Sequence, residues 1–176
     1  MSWVAFFSQT GSEIARLSKN LGKPPVAIFT DNLDQSKWHH GIDHSSISVV
    51  SKKDRKDSNF FRRVLNTTDL VTLHGWLNIV PADICEEYNI YNGHPGLITE
   101  YPELKGKDPQ QRCWENIHLY PSVGSVVHRV SPVVDDGIII STAVVESSYC
   151  TSLDATFEIL RYTSFQAWIK AFKLIQ

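Results

Sequence analysis

Two short segments hold residue types that can carry out acid–base catalysis. In Asn92-Gly93-His94-Pro95, an amide and an imidazole lie two residues apart directly after an apolar run. On extended backbone both side chains can reach one small group. The second segment follows His128 and contains Asp135-Asp136-Gly137. An amide donor, a histidine and an aspartate can together stabilise an oxyanion and move a proton. The aspartate segment also has the composition of an ordinary polar turn.

A third segment could bind an anion. Thr10-Gly11-Ser12-Glu13 follows the first apolar run and opens a predicted helix, where free backbone N–H groups favour negative charge. The threonine and serine could equally serve only to cap that helix. Glu13 would place a charge beside a bound phosphate unless it turned to solvent or capped the helix. Taken alone, the segment leaves phosphate binding and capping open.

Metal chemistry is not expected. His39, His40 and His44 lie in the irregular segment 31–45, but no spacing places them on one helical face with a carboxylate, so we expect a polar loop. The three cysteines are widely spaced and odd in number, which indicates neither a disulfide framework nor a zinc knuckle. We therefore expect no metal and a reducing, cytoplasmic compartment.

The composition is typical of one globular domain. The chain has 176 residues, of which 42% are hydrophobic and 20% charged, enough to bury a core without disulfides. Seventeen Lys and Arg against nineteen Asp and Glu give a net charge of −2, so there is no overall basic field for nucleic acid. No stretch approaches the roughly 18 apolar residues of a membrane span. We expect one domain over residues 1–176, with neither nucleic acid nor membrane as a partner.

Short apolar runs alternate with polar or amphipathic stretches, the order of parallel strands joined by helices. This predicts an α/β fold with a mostly parallel central sheet and helices on both faces. Ligands of such sheets bind beyond the carboxyl ends of the strands, where the polar segments above are expected. The predicted strands are 3–7, 26–30, 46–50, 70–73, 90–92, 123–130 and 138–145. The predicted helices are 12–20, 54–65, 81–88, 109–114 within an irregular stretch, and a C-terminal helix from Thr151 with core aromatics.

The motifs together resemble the formyltetrahydrofolate-dependent formyltransferase family. Asn92-x-His94-Pro95 is followed, at the distance typical of that family, by His128-x-Val130 and then Asp135-x-Gly137-x-x-Ile140. The segment 74–81 is similar to the family's Gly-aromatic-apolar segment, and the turn 8–12 is similar to the phosphate loop of the glycinamide ribonucleotide branch. The resemblance covers nearly the whole chain in order. It implies a Rossmann-like formyltransferase fold.

The resemblance also implies an activity and its residues. It implies transfer of a formyl group from 10-formyltetrahydrofolate to a small amine, as in one-carbon and purine nucleotide metabolism, without a metal. Asn92, His94 and Asp135 would be catalytic, and His128 would hold the Asp135 loop. The folate slot would be lined by Trp76, Leu77, Asn78, Ile79, Val80, Val133, Val134 and Asp136, and the amine substrate would be held by Thr10, Gly11, Ser12 and Glu13.

Three departures from the family pattern concern the substrate. Gly96-Leu97-Ile98-Thr99 stands where Ser-Leu-Leu-Pro is usual, Glu13 replaces an asparagine, and Asn78 stands where arginine is common. Methionyl-tRNA and many amino-sugar formyltransferases carry a further C-terminal region, so the length of this chain favours the branch with small substrates. We expect a phosphorylated amine of the glycinamide ribonucleotide type. The alternatives are an amino-sugar nucleotide, or water in a deformylase. A monomer or homodimer is expected.

Overall fold

The computed structural model describes residues 2–66, 68 and 70–175. Strands and helices alternate along most of this range, and no helix in it is long and apolar enough to cross a membrane. In chain order the elements are β1 (Trp3–Phe7), α1 (Ser12–Leu21), β2 (Ala27–Thr30), β3 (Ile47–Val49), α2 (Ser58–Leu65), β4 (Leu70–His74), α3 (Ala82–Glu87), β5 (Ile90–His94), α4 (Pro109–Glu115), β6 (Ser122–Arg129), β7 (Ile139–Glu146) and α5 (Leu153–Ile175).

The strands form one seven-stranded sheet in the order β3-β2-β1-β4-β5-β6-β7. Strand β1 pairs in parallel with β2 and with β4, and β2 pairs in parallel with β3. Strand β7 is antiparallel to β6, and the register of this pair shifts between Val127 and His128. The predicted α/β class with a mostly parallel sheet is therefore confirmed.

The chain forms two compact units, and the first comprises Met1–Asn92 and Val130–Pro132. Strands β1 and β4 are buried at every position, as expected for strands covered on both faces. The core of this unit is rich in aromatic rings: Phe6 stacks on Phe29 at 5.0 Å and on Phe61 at 5.8 Å between ring centroids. This packing holds β1 and β4 in place, and polar side chains follow the carboxyl ends of both strands.

The second unit comprises Gly93–Arg129 and Val133–Gln176. Helix α5 packs on its strands through apolar and hydroxyl side chains. Ser125 Oγ donates to the carbonyl oxygen of Leu160 at 3.0 Å, and Ser141 Oγ donates to that of Ala167 at 2.7 Å. Trp168 and Phe172 are buried, so these two aromatics of the helix belong to the core, as predicted, whereas Tyr162 is half exposed.

Two of the differences between predicted and observed bounds have a clear local cause. Strand β3 is limited to Ile47–Val49, because Ser46 belongs to a 3-10 turn that Asp43 caps. The helix predicted over 54–65 is divided into a 3-10 turn and α2. The division occurs at Asp57, whose carboxylate accepts from the amide of Asn59 at 2.9 Å and caps α2. The single domain expected over residues 1–176 stays a prediction.

Gly93 lies on β5 against α5 and provides a test of this packing. A Cβ at residue 93 would lie 2.4 Å from Nε1 of the buried Trp168. We expect Gly93→Ala to lower the free energy of unfolding by about 1–3 kcal/mol, the usual cost of overpacking, as measured by urea denaturation. Gly22→Ala is the control. A Cβ there meets no atom within 4 Å, so only its φ of 65° is costly, by about 1 kcal/mol. A smaller loss for Gly93→Ala than for Gly22→Ala would contradict this account.

Candidate active site

His94 ends β5 and is buried with an oxygen beside each ring nitrogen. Its Nε2 lies 2.9 Å from the carbonyl oxygen of Leu104, and its Nδ1 lies 3.2 Å from Oδ2 of Asp135. A carbonyl oxygen can only accept, so Nε2 carries a hydrogen. The Asp135 carboxylate, when ionised, can likewise only accept, so the ring lies between two acceptors and both of its nitrogens are placed to donate.

The carboxylate of Asp135 is surrounded by donors. Its Oδ2 accepts from the backbone amide of Gly106 at 2.8 Å, and its Oδ1 lies 3.4 Å from Nε2 of His128. The Asp135 side chain is only 9% exposed. Burial alone would raise the pKa of Asp135, but the contacts with His128, His94 and the Gly106 amide outweigh burial and hold this pKa well below its usual range. Asp135 is therefore ionised at physiological pH.

His128 supports Asp135 from β6. It lies at the register shift of the β6–β7 pair, and such irregularities commonly redirect a side chain. Its Nδ1 is 3.1 Å from the carbonyl oxygen of Arg129, while Nε2 faces Asp135. The contact with Asp135 is the one through which His128 would hold the Asp135 loop, a role that stays a prediction.

The backbone of the loop separates two neighbouring aspartates. Asp135 has a φ of 53°, in the left-handed region that aspartate tolerates better than most residues. Gly137 is required because a Cβ there would lie 1.6 Å from the carbonyl oxygen of Arg129. Asp136 is 56% exposed and its Oδ1 lies 2.6 Å from Nζ of Lys105. Asp135 thus contacts the two histidines, and Asp136 contacts a lysine near the surface.

The other catalytic residue expected from the sequence, Asn92, is partly buried on β5 two residues before His94. Among the residues expected to bind folate, Leu77 and Ile79 in the first unit and Val133 and Val134 in the second are exposed. They offer apolar surface to a ligand.

Trp76 and Val80 differ from the other expected folate residues, because both are buried in the core of the first unit. These two residues can therefore offer a ligand their backbone rather than their side chains.

Asn78 belongs to a polar cluster that was not predicted from the sequence. Its Nδ2 lies 2.9 Å from Oδ2 of Asp31, and Nη1 of Arg55 lies 2.9 Å from the same oxygen.

The turn before α1 contains a second missed interaction. The N-cap position of α1 is Gly11, which has a φ of 71° and no side chain to cap the helix. The amide of Ser12 donates to Oγ1 of Thr10 at 3.3 Å in a local turn. Glu13 neither caps the helix nor faces only solvent. Its Oε2 lies 2.7 Å from Nδ1 of His74, a side chain only 1% exposed. The only sequence signal for this pair was a histidine at the end of a buried strand.

The three clustered histidines form polar loop contacts. The rings of His39 and His40 stack at 4.5 Å, and Nε2 of His44 lies 3.2 Å from the carbonyl oxygen of His39. Across the described ranges, no group of three or more His, Cys, Asp or Glu is placed to hold a metal ion. Chemistry without a metal stays a prediction.

Sequence comparison finds a formyltransferase among curated proteins. No family model matches the chain. The chain is 25% identical over 122 residues to a curated protein, the phosphoribosylglycinamide formyltransferase of Dictyostelium discoideum. The matched region is 64% of this chain and 58% of that relative, so the chain spans less than two thirds of the relative's length.

Solved structures with the same fold cover nearly all of the chain. The phosphoribosylglycinamide formyltransferase of Anaplasma phagocytophilum has a TM-score of 0.81 at 24% identity, over 99% of this chain and 86% of that one. The Campylobacter jejuni enzyme of the same name has a TM-score of 0.80 at 18% identity, over 99% and 98%. A formyltetrahydrofolate deformylase from Pseudomonas syringae pv. tomato has a TM-score of 0.73 at 18% identity, over 97% and 60%. The formyltransferase fold implied by the motifs is confirmed.

The ionised Asp135 predicts how stability depends on pH. Because its pKa is lowered in the folded state, the carboxylate contributes stability that is fully present above the usual aspartate pKa and is lost as the pH falls below it. We expect the free energy of unfolding, measured by urea denaturation, to fall more between about pH 6 and pH 3 in the wild type than in Asp135→Asn.

Asp136→Asn is the matched control, since the half-exposed Asp136 faces Lys105 rather than the histidines. Its stability should follow pH as in the wild type. If Asp135→Asn kept the full loss of stability in acid, Asp135 would not be the ionised group described here.

Proposed function

We propose that this protein transfers a formyl group from 10-formyltetrahydrofolate to the amine of a small substrate. The observation that carries the proposal is the buried contact between His94 and the ionised Asp135. His94 is also hydrogen-bonded to the Leu104 carbonyl, and it follows Asn92 by two residues on β5. Similarity to the Dictyostelium phosphoribosylglycinamide formyltransferase and the shared fold support it.

The reaction passes through a tetrahedral intermediate. The amine nitrogen attacks the formyl carbon, the carbonyl electron pair moves to oxygen, and the bond from the formyl carbon to the folate nitrogen then breaks. Asn92 suits the first step because its side-chain NH₂ can donate to the developing oxyanion without bringing a charge. One such donor is typically worth about 3–4 kcal/mol.

His94 moves the proton. Both ring nitrogens face acceptors, so the ring is placed to hold a hydrogen on Nδ1 as well as on Nε2. Nδ1 gives its proton to the departing folate nitrogen and takes the proton that the attacking amine loses. Asp135 stabilises the positive ring that exists before and after these steps.

We propose that the amine substrate is phosphorylated, of the glycinamide ribonucleotide type, and that the protein acts in the cytoplasm as a monomer or homodimer. The backbone N–H groups at the start of α1 favour an anion. The Glu13 carboxylate contacts His74, which gives it a partner outside the turn. The Dictyostelium relative is named for a phosphoribosylated substrate, which supports this choice.

The test is release of tetrahydrofolate from 10-formyltetrahydrofolate by the purified protein. Reactions contain glycinamide ribonucleotide, an amino-sugar nucleotide, or no amine. We expect release only with the ribonucleotide. The fold shared with the Pseudomonas deformylase makes hydrolysis the main alternative, and release without any amine would establish it. Release with the amino-sugar nucleotide alone would keep the transferase and change its substrate, whereas no release would contradict the proposal.

The catalytic residues are tested by substitution. We expect Asn92→Ala, His94→Ala and Asp135→Asn each to reduce kcat by at least about a hundredfold, because each removes a group that acts in the transition state. Asp136→Asn, the matched control, should reduce kcat far less, because the half-exposed Asp136 carboxylate pairs with Lys105 rather than with the histidines. Steady-state kinetics with saturating folate measures all four. Equal losses for the two aspartate variants would overturn the assignment.

The pair of Glu13 and His74 tests the phosphate proposal. Glu13→Gln removes a negative charge near the proposed phosphate, so we expect the KM for the amine substrate to fall about fivefold, equivalent to about 1 kcal/mol. His74→Gln leaves the Glu13 carboxylate without its imidazole partner, so KM should rise by a similar factor. In both variants kcat should change less than KM. A rise in KM for Glu13→Gln would mean that Glu13 binds hydroxyl groups or a cation of the substrate.

A further inference from the structure

Asn78 lies in the middle of residues 76–80, which the resemblance places on one side of the folate slot and which we call the folate segment. The side chains at both ends of this segment are buried in the core of the first unit. Leu77 and Ile79, in contrast, are 72% and 71% exposed. The apolar surface that the folate segment offers to a ligand therefore comes from the two neighbours of Asn78.

The side-chain amide of Asn78 is engaged at both ends by residues from elsewhere in the first unit. Its Nδ2 donates to Oδ2 of Asp31 at 2.9 Å, and its Oδ1 accepts from Nη1 of Arg55 at 3.2 Å. The same Nη1 donates to Oδ2 of Asp31 at 2.9 Å, which closes a ring of three hydrogen bonds. A carboxylate can only accept and a guanidinium can only donate, so this ring fixes the orientation of the amide.

The ring ties the folate segment to two positions outside its own loop. Asp31 directly follows β2, and Arg55 lies in a 3-10 turn before α2. Their side chains are only 13% and 20% exposed, and hydrogen bonds to charged groups are stronger away from water. A further bond runs from the backbone amide of Leu77 to Oγ of Ser8 at 2.9 Å. The folate segment is therefore held at two neighbouring residues, Leu77 and Asn78.

We propose that Asp31 is a positioning residue for folate binding, which acts through Asn78 to hold Leu77 and Ile79 in the arrangement that folate meets. The inference rests on the proposed function, in which a folate delivers the formyl group. A loop already fixed in its bound form loses less conformational entropy on binding, so its ligand binds more tightly. The Asn78 side chain thus contributes by anchoring its neighbours and not by contacting folate.

An exchange of the two side chains gives the sharpest set of variants. Asn78→Asp places a second carboxylate against Asp31, so the ring of hydrogen bonds has to open. The double variant Asp31→Asn with Asn78→Asp again sets one amide against one carboxylate, and the carboxylate still faces Arg55. Asp31→Ala removes the acceptor altogether. Asp34→Ala is the matched control, because Asp34 lies in the same loop after β2, is 48% exposed and pairs with Lys37.

The first measurement needs no ligand. Hydrogen exchange of the whole protein, followed by mass spectrometry, reports how firmly the folate segment is held. We expect exchange in peptides that cover it to be at least about tenfold faster in Asn78→Asp and in Asp31→Ala than in the wild type. The double variant and Asp34→Ala should exchange within about threefold of the wild-type rate. Wild-type exchange in folded Asp31→Ala would overturn the proposal.

The second measurement is the affinity for tetrahydrofolate, determined without amine by calorimetry under anaerobic conditions. We expect Kd to rise at least about tenfold in Asn78→Asp and in Asp31→Ala, and to stay within about threefold of the wild type in the double variant and in Asp34→Ala. A double variant that binds as weakly as Asn78→Asp would indicate that Asn78 contacts folate directly, and would overturn the proposal.

The steady-state kinetics of formyl transfer separate KM from kcat. We expect Asp31→Ala to raise the KM for 10-formyltetrahydrofolate at least about tenfold and to leave kcat and the KM for the amine within about threefold, because the reacting groups are untouched. A loss confined to kcat would contradict the role of Asp31 in folate binding.

The outcomes distinguish this inference from the proposed function. Wild-type protein that binds tetrahydrofolate but transfers no formyl group would refute the proposed function, while the binding series would still decide the role of Asp31. Active wild-type protein with unchanged folate affinity in Asp31→Ala would overturn the inference alone. If circular dichroism shows that a single variant is unfolded, the double variant is decisive. We then expect wild-type exchange and Kd within about threefold, and a tenfold change in either would overturn the inference.

Discussion

A buried negative charge requires donors from several directions, and in this protein that charge is Asp135. Its partners come from three places in the chain: His94 at the end of β5, His128 on β6 and the backbone amide of Gly106. Removing one partner of a buried ion pair typically costs about 3–5 kcal/mol. The positions of β5, β6 and the Gly106 amide are therefore constrained, because each contributes a partner to the same carboxylate. The left-handed backbone of Asp135 is the local strain that this arrangement imposes, and Gly137 leaves room for the nearby carbonyl oxygen of Arg129.

The same arrangement gives each nitrogen of His94 a different task. Nε2 is anchored to the Leu104 carbonyl, and Nδ1 faces the carboxylate. A ring held in this way can move protons without turning, which avoids reorganisation during the reaction. In the account proposed here, Asn92 handles the charge on oxygen, His94 handles the proton, and Asp135 balances the charge of the ring.

Sequence patterns predicted features that depend on local order, and missed those that depend on distant contacts. The buried strands β1 and β4 were evident from continuous apolar runs, and the preference for Asp135 over Asp136 followed from its interval to His128. The division of the helix predicted over 54–65 was not predicted, because Asp57 fits the helical pattern but caps α2 instead. The pairing of Glu13 with His74 and the polar cluster around Asn78 join residues whose spacing carries no signal, so only the folded chain reveals them.

The central claim is that Asp135 is ionised inside the protein because His94, His128 and the Gly106 amide hold it so. Carbon-13 NMR of the side-chain carboxyl groups, followed as the pH is lowered and assigned with Asp135→Asn, measures this directly. The account predicts that the Asp135 carboxyl is still ionised at a pH of about 3.9, where an ordinary aspartate is half protonated. A titration midpoint at or above that pH would contradict it.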